Sequence, residues 1–307
     1  MPVSPVLIGV DWGTSSLRAY LIDQEGNVVD TLSSNEGILN IQDDDFEAVF
    51  ERFVGEWLRL YPLLPIILSG MITSRNGWVE VDYLPLPAGM QGIASAITIH
   101  ETRLGRRLHF VPGLTTASRV SIPDVMRGEE TELIGQIYQY GGDGTFLLPG
   151  THSKWVTVKD SKIIELQTFM TGEVYALLKY KSILSKLLVE AVSFKSFAKG
   201  VTYRASNSGS ILNQLFSVRT LPLFELMPKE EVSDYLSGLL IAEEIRGALE
   251  SRKGPQDIKI IGQGDLAERY CYALKLMGVS TIVVEQGMVA RGHFELALQQ
   301  GLVHDKF

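Results

Sequence analysis

The stretch VDWGTSSLRAYLID, Val10 to Asp23, places an acid at the end of an apolar run. Asp11 closes Val6-Leu7-Ile8-Gly9-Val10, and Gly13, Thr14, Ser15 and Ser16 follow before an alternating segment, Leu17 to Ile22. Asp and Gly alone would suit an ordinary β-turn. A second stretch sharpens the reading: PGTHSKW, Pro149 to Trp155, again sets Gly-Thr and then Ser after an apolar run. Glycine lets backbone approach an anion, and successive N–H groups with small hydroxyls donate to phosphate oxygens. Turns built from Gly13, Thr14 and Ser15 and from Gly150, Thr151, Ser153 and Lys154 could grip a nucleotide tail from two sides. Asp11 would then hold Mg²⁺ against the phosphates, directly or through water.

The elements that must position these turns repeat. Apolar alternation predicts strands over 6–11, 17–23 and 28–34, then a helix over 43–60 opened by Asp43, Asp44 and Asp45, whose acids suit a helix N-terminus. A strand over 66–69, a helical stretch near 90–104, a strand over 108–111 and a helix over 128–140 follow. From Gly144 the pattern restarts: TFLLPG, KWVTVKD and KIIELQTFM read as strands, a helix follows Thr171-Gly172-Glu173, and IKIIGQG is a strand. Helix 265–277, strand STIVVEQG and helix 287–299 complete the second half. Segment 194–232 fits the repeat least and reads as inserted helices and loops. The pattern predicts an α/β protein of two actin-like ATPase (ribonuclease H-like) domains, 1–140 and 141–307, facing across a nucleotide cleft. Its last helix could pack back on the first domain, and small residues near 112–114 and 141–144 could let the halves rotate.

Composition narrows the partners. The 307 residues are 45% hydrophobic, enough for a sizeable core, and the formal net charge of -8 comes without a basic run, which argues against a nucleic-acid partner. One cysteine precludes an internal disulfide, and the five histidines are scattered without metal-ligand spacing. Apolar runs are short and Pro-broken, as in YPLLPIILSG, and no basic segment precedes the apolar N-terminus, so neither a membrane span nor a signal peptide is expected. These features suit a cytoplasmic protein; a homodimer is compatible with them.

The stretches VDWGTSSLRAYL, SGMITSRNGW, PDVMRGEETELIGQI, LLPGTHSKWV and TFMTGEVYALL resemble the 2-keto-3-deoxygalactonate kinase (2-dehydro-3-deoxygalactonokinase) family of the actin/hexokinase/Hsp70 superfamily. The resemblance implies ATP-dependent phosphorylation of the 6-hydroxyl of a 2-keto-3-deoxy sugar acid, with Mg²⁺, in galactonate catabolism. It implies a carboxylate base at the start of the helix linking the halves: Glu129 first, with Glu130 or Asp124 as alternatives. Acids in a first helical turn are favoured by the helix dipole anyway, so one of the pair is expected to be structural. Arg75, with Asn76 and Trp78, is the first candidate to hold the substrate carboxylate, because a guanidinium matches it in two-pronged fashion. Arg18, Arg127 and Lys154 are further cations. Adenosine is implied at Gly262 and Gly264, where a side chain would fill its space. His152 reads as polar support, and Thr171 to Glu173 as a capped helix start. Thr73 and Gln263 depart slightly from the family habit.

Two other readings stay open: a kinase for another sugar or polyol, and a non-catalytic nucleotide-binding sensor of the same fold. A dinucleotide fingerprint, Gly262-x-Gly264-x-x-Ala267 with Glu285 downstream, also fits the C-terminal strand and helix, but it leaves the paired turns unexplained.

Overall fold

The apolar run before Asp11 forms β1 (Pro5–Trp12), which continues into an antiparallel meander with β2 (Leu17–Asp23) and β3 (Val28–Ser34). The computed structural model describes residues 4–117, 122–188, 193–250, 252, 257–284 and 286–304. Glu285, the acid of the dinucleotide fingerprint, lies outside the described residues. Two compact units divide the chain: Met1–Asp143 with Val158–Leu166 and Gly287–Phe307, and Gly144–Thr157 with Gln167–Gln286.

In the first unit α1 (Phe46–Phe53) and α2 (Gly55–Leu60) lead to β4 (Ile66–Ser69). Then come β5 (Leu84–Pro85), β6 (Ala88–Gly89), α3 (Met90–Ser95), β7 (Thr98–Glu101) and β8 (Arg107–Phe110). The short β9 (Leu114–Thr115) and β10 (Val125–Met126) precede α4 (Glu129–Tyr140). The main sheet has the order β3-β2-β1-β4-β8-β7. β4 runs parallel to β1 with Ser69 beside Asp11, so both strands end at one place. Trp12, Phe46, Phe50, Trp57 and Phe110 are buried in the core that backs this sheet.

Two predicted helices are corrected. The helix over 43–60 is two: Asp43 and Asp44 sit in a turn at φ 57° and 52°, Asp45 caps α1 by accepting from Ala48 N–H at 3.2 Å, and α2 restarts at Gly55. The stretch 90–104 stops being helical at Ser95. Thr98 and Ile99, β-branched residues that favour a pleated surface, instead form the edge strand β7 beside β8.

From Gly144 the chain forms β11 (Gly144–Leu148), β12 (Ser153–Lys159) and β13 (Lys162–Phe169), of which Val158–Leu166 is grouped with the first unit and the rest with the second, followed by α5 (Thr171–Lys181). Segment 194–232 holds α6 (Phe194–Ser206), α7 (Ile211–Gln214) and α8 (Ser217–Leu223). Next come α9 (Val232–Glu250), β14 (Ile258–Ile261), α10 (Gly264–Leu276) and β15 (Thr281–Val284). Strand order here is β15-β14-β11-β12-β13. The 19-residue α9 is absent from the sequence reading. It is buried on nearly every side, so it shows no polar face for a periodicity argument to find.

The last helix, α11 (Val289–Gln299), belongs to the first unit. It lies against α4 at backbone distance: a Cβ on Gly292 would come within 2.0 Å of Thr131 O. Glu132 of α4 accepts from the N–H groups of Gly287 at 3.1 Å and Met288 at 3.0 Å, so its carboxylate serves the start of α11. No helix among the described residues is long and apolar enough to cross a membrane.

Candidate active site

Three chain segments of the first unit meet where β1 and β4 end and α4 begins. Gly70 follows β4 at φ 94°, and a Cβ there would stand 2.7 Å from Trp12 O and 3.3 Å from Asp11 Oδ1. Gly128 precedes α4 at φ 109°, and its Cβ would be 3.2 Å from Gly70 Cα. L side chains rarely take that backbone conformation, so both glycines are needed for the close approach. Asp11 and the first turn of α4 are thereby held in one corner.

The acids in that corner differ in environment. Glu130 is fully buried, and both of its carboxyl oxygens accept from Gly128 N–H, at 2.9 and 2.8 Å. Burial, with the nearby Glu129 charge, pushes it up to about 8. Glu129 is partly exposed and accepts from Arg127 N–H at 3.0 Å. Asp11 is also partly exposed; desolvation raises it to about 6, Arg18 opposes the rise, and Glu132 and Glu129 add to it. Arg18 stands opposite Asp11 in the β1–β2 register, and it also opposes the rise that burial imposes on the Tyr20 hydroxyl. Asp124 sits on the β9–β10 ribbon, its backbone joined to Thr115 and Thr116.

The first turn is closed by Gly13 N–H donating to Ser16 O at 2.9 Å. The carbonyls of Gly13 and Thr14 are taken up by Ile38 and Leu39 N–H, at 3.0 and 3.2 Å, while the Thr14 and Ser15 side chains stay exposed. In the loop after β4, Arg75 and Asn76 are exposed. Trp78 is corrected: its ring packs on Phe50, Phe110 and His100 at 5.7–5.8 Å, so it anchors the loop on the core rather than facing a ligand.

Arg127 is likewise spoken for. Its buried guanidinium donates to Thr73 O at 2.6 Å, to Thr73 Oγ1, and to Val81 O at 2.8 Å, and it lies 4.2 Å from the Tyr83 ring. Thr73, the departure from the family habit, is part of this clamp. Arg127→Met leaves these acceptors unpaired, and the expected cost is on the order of 2–3 kcal/mol, read as a fall in the thermal midpoint. An unchanged midpoint would show that water replaces the clamp at no cost.

In the second unit the tip Gly150-Thr151-His152 is the accessible part of the turn. It rests on the start of α5: Glu173 N–H donates to Thr151 O at 3.0 Å, and His152 Nε2 lies 2.5 Å from Glu173 Oε2. A Cβ on Gly172 would reach 2.6 Å from Gly150 O, so that glycine lets helix and turn touch. Two expected phosphate contacts are corrected. Ser153 is fully buried, with Oγ 2.9 Å from Tyr270 OH, and buried Lys154 donates to Thr168 Oγ1 at 3.1 Å. Both belong to β12, covered on both faces, so the alternation turns each inward.

Gly262 ends β14 with its Cβ position 3.3 Å from Ala267 and 3.6 Å from Pro149, while Gly264, at φ +66°, has open space beside it. Cavities flank α10. One, of about 660 Å³, includes Gly262, Gln263, Gly264 and Tyr272. The other, of about 570 Å³, includes Gly150, Thr151, Tyr175, Lys179, Asp265 and Arg269. The sequence points to Gly150-Thr151 and to the start of α5 but not to the rest of this second cavity, which α9 and α10 line with residues that share no motif. Arg269 there pairs with Asp234 and Asp265, each at 2.6 Å.

A strand meander carrying an acid and a hydroxyl-rich turn, then a second unit built the same way, define an actin-like ATPase fold with the features of a phosphotransferase. The activator of 2-hydroxyisocaproyl-CoA dehydratase from Clostridium difficile, solved with bound ADPNP, shares this fold, with a TM-score of 0.51 at 10% identity over 96% of this chain and 95% of that one. The particular family follows from sequence. The profile of the 2-keto-3-deoxy-galactonokinases matches residues 11–296, and the chain belongs to that family, whose members are phosphotransferases with an alcohol group as acceptor. It is 32% identical over 278 residues to the 2-dehydro-3-deoxygalactonokinase of Escherichia coli strain K12, covering 90% of this chain and 92% of that one. A crystal structure of a Sinorhizobium meliloti protein assigned as a 2-dehydro-3-deoxygalactonokinase superposes with a TM-score of 0.86, at 34% identity, over 95% of this chain and 98% of that one.

Proposed function

We propose that the protein transfers the terminal phosphoryl group of ATP to the 6-hydroxyl of 2-dehydro-3-deoxy-D-galactonate. The observation that carries the reading is the contrast at the start of α4. Glu130 is buried against Gly128 N–H, while Glu129 keeps an accessible carboxylate in the corner that also holds Asp11. Glu129 is the base that receives the hydroxyl proton, and Glu130 shapes the turn. Arg75 and Asn76 bind the carboxylate end of the sugar acid, with Arg18 as a further cation near Asp11. The names of the relatives support the substrate.

The second unit takes the nucleotide. The 570 Å³ cavity includes Gly150 and Thr151, so adenosine placed there keeps its phosphates on the turn. The 660 Å³ cavity, lined by Gly262 and Gly264 where the resemblance implied adenosine, lacks that continuity. Among the described residues no set of three or more His, Cys, Asp or Glu could hold an ion. Mg²⁺ in a kinase needs less: one or two carboxylates, waters and phosphate oxygens. Asp11, with Glu129 and Glu132 adding negative charge nearby, fits that demand. When bound, the ion neutralises phosphate charge; Gly13, Thr14 and Ser15 add donors.

A coupled ATP-consumption assay across sugar acids and neutral sugars of similar shape tests the reading. Turnover is expected with the 2-keto-3-deoxy acid, and Arg75→Ala should raise its KM by about 10- to 100-fold while narrowing the preference for acids over neutral sugars. Turnover only with neutral sugars or polyols would reassign the substrate. Nucleotide binding without turnover on any acceptor would make the protein a sensor.

A further inference from the structure

Behind the second turn lies a buried carboxylate that the proposed chemistry does not use. Glu244, on α9, is almost completely buried. Trp155 Nε1–H donates to its Oε1 at 2.8 Å, and Tyr270 OH donates to its Oε2 at 2.6 Å. Thr171 and Ser153 also hydrogen-bond this carboxylate. Ser153 Oγ and Tyr270 OH are 2.9 Å apart, which closes the network. A buried carboxylate is tolerated only when its oxygens are this well supplied with donors, and an apolar residue of similar size would fill the space without that demand.

The donors have one thing in common: each stands on an element that borders the turn. Ser153 and Trp155 are on β12, directly after it. Thr171 starts α5, whose Gly172 and Glu173 touch Gly150 and Thr151. Tyr270 is on α10, reached from β14 through Gly262, which lies against Pro149 at the front of the turn. One side chain thus ties together the elements that fix where Gly150 and Thr151 point.

We propose that Glu244 and Tyr270 are positioning residues for phosphate binding, holding the second turn through Ser153 and Thr171 in the conformation that receives the nucleotide tail. The inference rests on the reading that this turn binds phosphate. Glu244 and Ser153 do not line the 570 Å³ cavity and act through the orientation of the turn, whereas Tyr270 also borders that cavity. A well-satisfied polar network specifies one arrangement where apolar packing would tolerate several.

The test uses Tyr270→Phe, which keeps the ring and loses the bridge, and Ser153→Ala, which loosens the turn and leaves Tyr270 on Glu244. Each should weaken ATP binding by about five- to tenfold, measured by titration calorimetry and as KM for ATP, with KM for the sugar acid unchanged. Adenosine, which has no phosphate tail, should bind Ser153→Ala as it binds the parent; Tyr270 borders the adenosine cavity, so this control is read on Ser153→Ala. The double variant should be no worse than Tyr270→Phe alone, because both changes cut one chain of hydrogen bonds. Equal losses for ATP and adenosine in Ser153→Ala, or a lower thermal midpoint with unchanged ATP affinity in both variants, would make the network ordinary core and overturn the proposal. Gly150→Val separates this from the reading beneath it. A Cβ there meets only His152 O at 3.9 Å, so the fold has room for the first added carbon. If Gly150→Val weakens ATP binding and the other two variants do not, the turn binds phosphate and the proposal alone fails. If ATP binding ignores Gly150→Val, the turn does not hold the tail, and both fail.

Discussion

Glu129→Gln is expected to lower kcat by roughly 10²–10⁴-fold with little change in KM for either substrate. Glutamine keeps the length and can still accept from Arg127 N–H, so the turn before α4 should stand. What it loses is the capacity to take a proton from the acceptor hydroxyl. Glu130→Gln is the control, and its expected signature is different. Glu130 is held up at about 8 by burial, against an ordinary value of 4.5, so the folded chain keeps a proton that the unfolded chain releases. Folded stability therefore falls as pH rises between those values, and the cost is complete above about 8. Glutamine carries no such dependence. Glu130→Gln should keep most of its turnover, and its thermal midpoint should rise relative to the parent as pH goes from 5 to 8.5. A dead Glu130→Gln beside an active Glu129→Gln would move the base by one residue. Two active variants would direct attention to Asp124.

Much of this site was legible because chemistry and local structure share a motif. Asp11 and the first turn were readable from an acid between an apolar run and Gly-Thr-Ser-Ser, and from the alternation that opens β2. The start of α4 was readable from Gly128 and the acids after it, with Glu129 placed ahead of Glu130 and Asp124 but without a physical ground to separate the neighbouring pair. Only burial separates them, and burial depends on Gly70, Gly128 and α11 coming together from distant parts of the chain. Ser153 and Lys154 failed for a related reason. Hydroxyl and amine next to a Gly-Thr turn look like phosphate ligands, but β12 is covered on both faces and takes both side chains inward. Trp78 looked available in a loop whose interior is in fact anchored by its ring. Of the cavity beside Gly150, only Gly150-Thr151 and the start of α5 stood in a motif, because α9 and α10 contribute isolated residues to it.

Asp11→Asn should remove most turnover, by on the order of 10²-fold or more, at Mg²⁺ levels that saturate the parent. The substitution preserves size in the corner between Gly70 and β2, so the strand ends should not move. The charge is the part that matters. Asp11 sits where desolvation and the neighbouring Glu132 and Glu129 make an ionised carboxylate costly, and they raise it to about 6. Without metal, the neutral amide relieves that cost, so the variant's thermal midpoint at pH 7.5 should equal or exceed the parent's. Adding Mg²⁺ with ADP should reverse the order. The parent gains stability from a ligand that binds only the folded form, and the variant gains less, because the carboxylate that would steady the ion is gone. This pair of melting curves reads the metal role without any turnover. Equal Mg²⁺·ADP stabilisation of parent and variant, together with near-normal turnover, would return Asp11 to the plain role of a turn residue. Equal stabilisation with lost turnover would place Asp11 at the acceptor rather than at the metal.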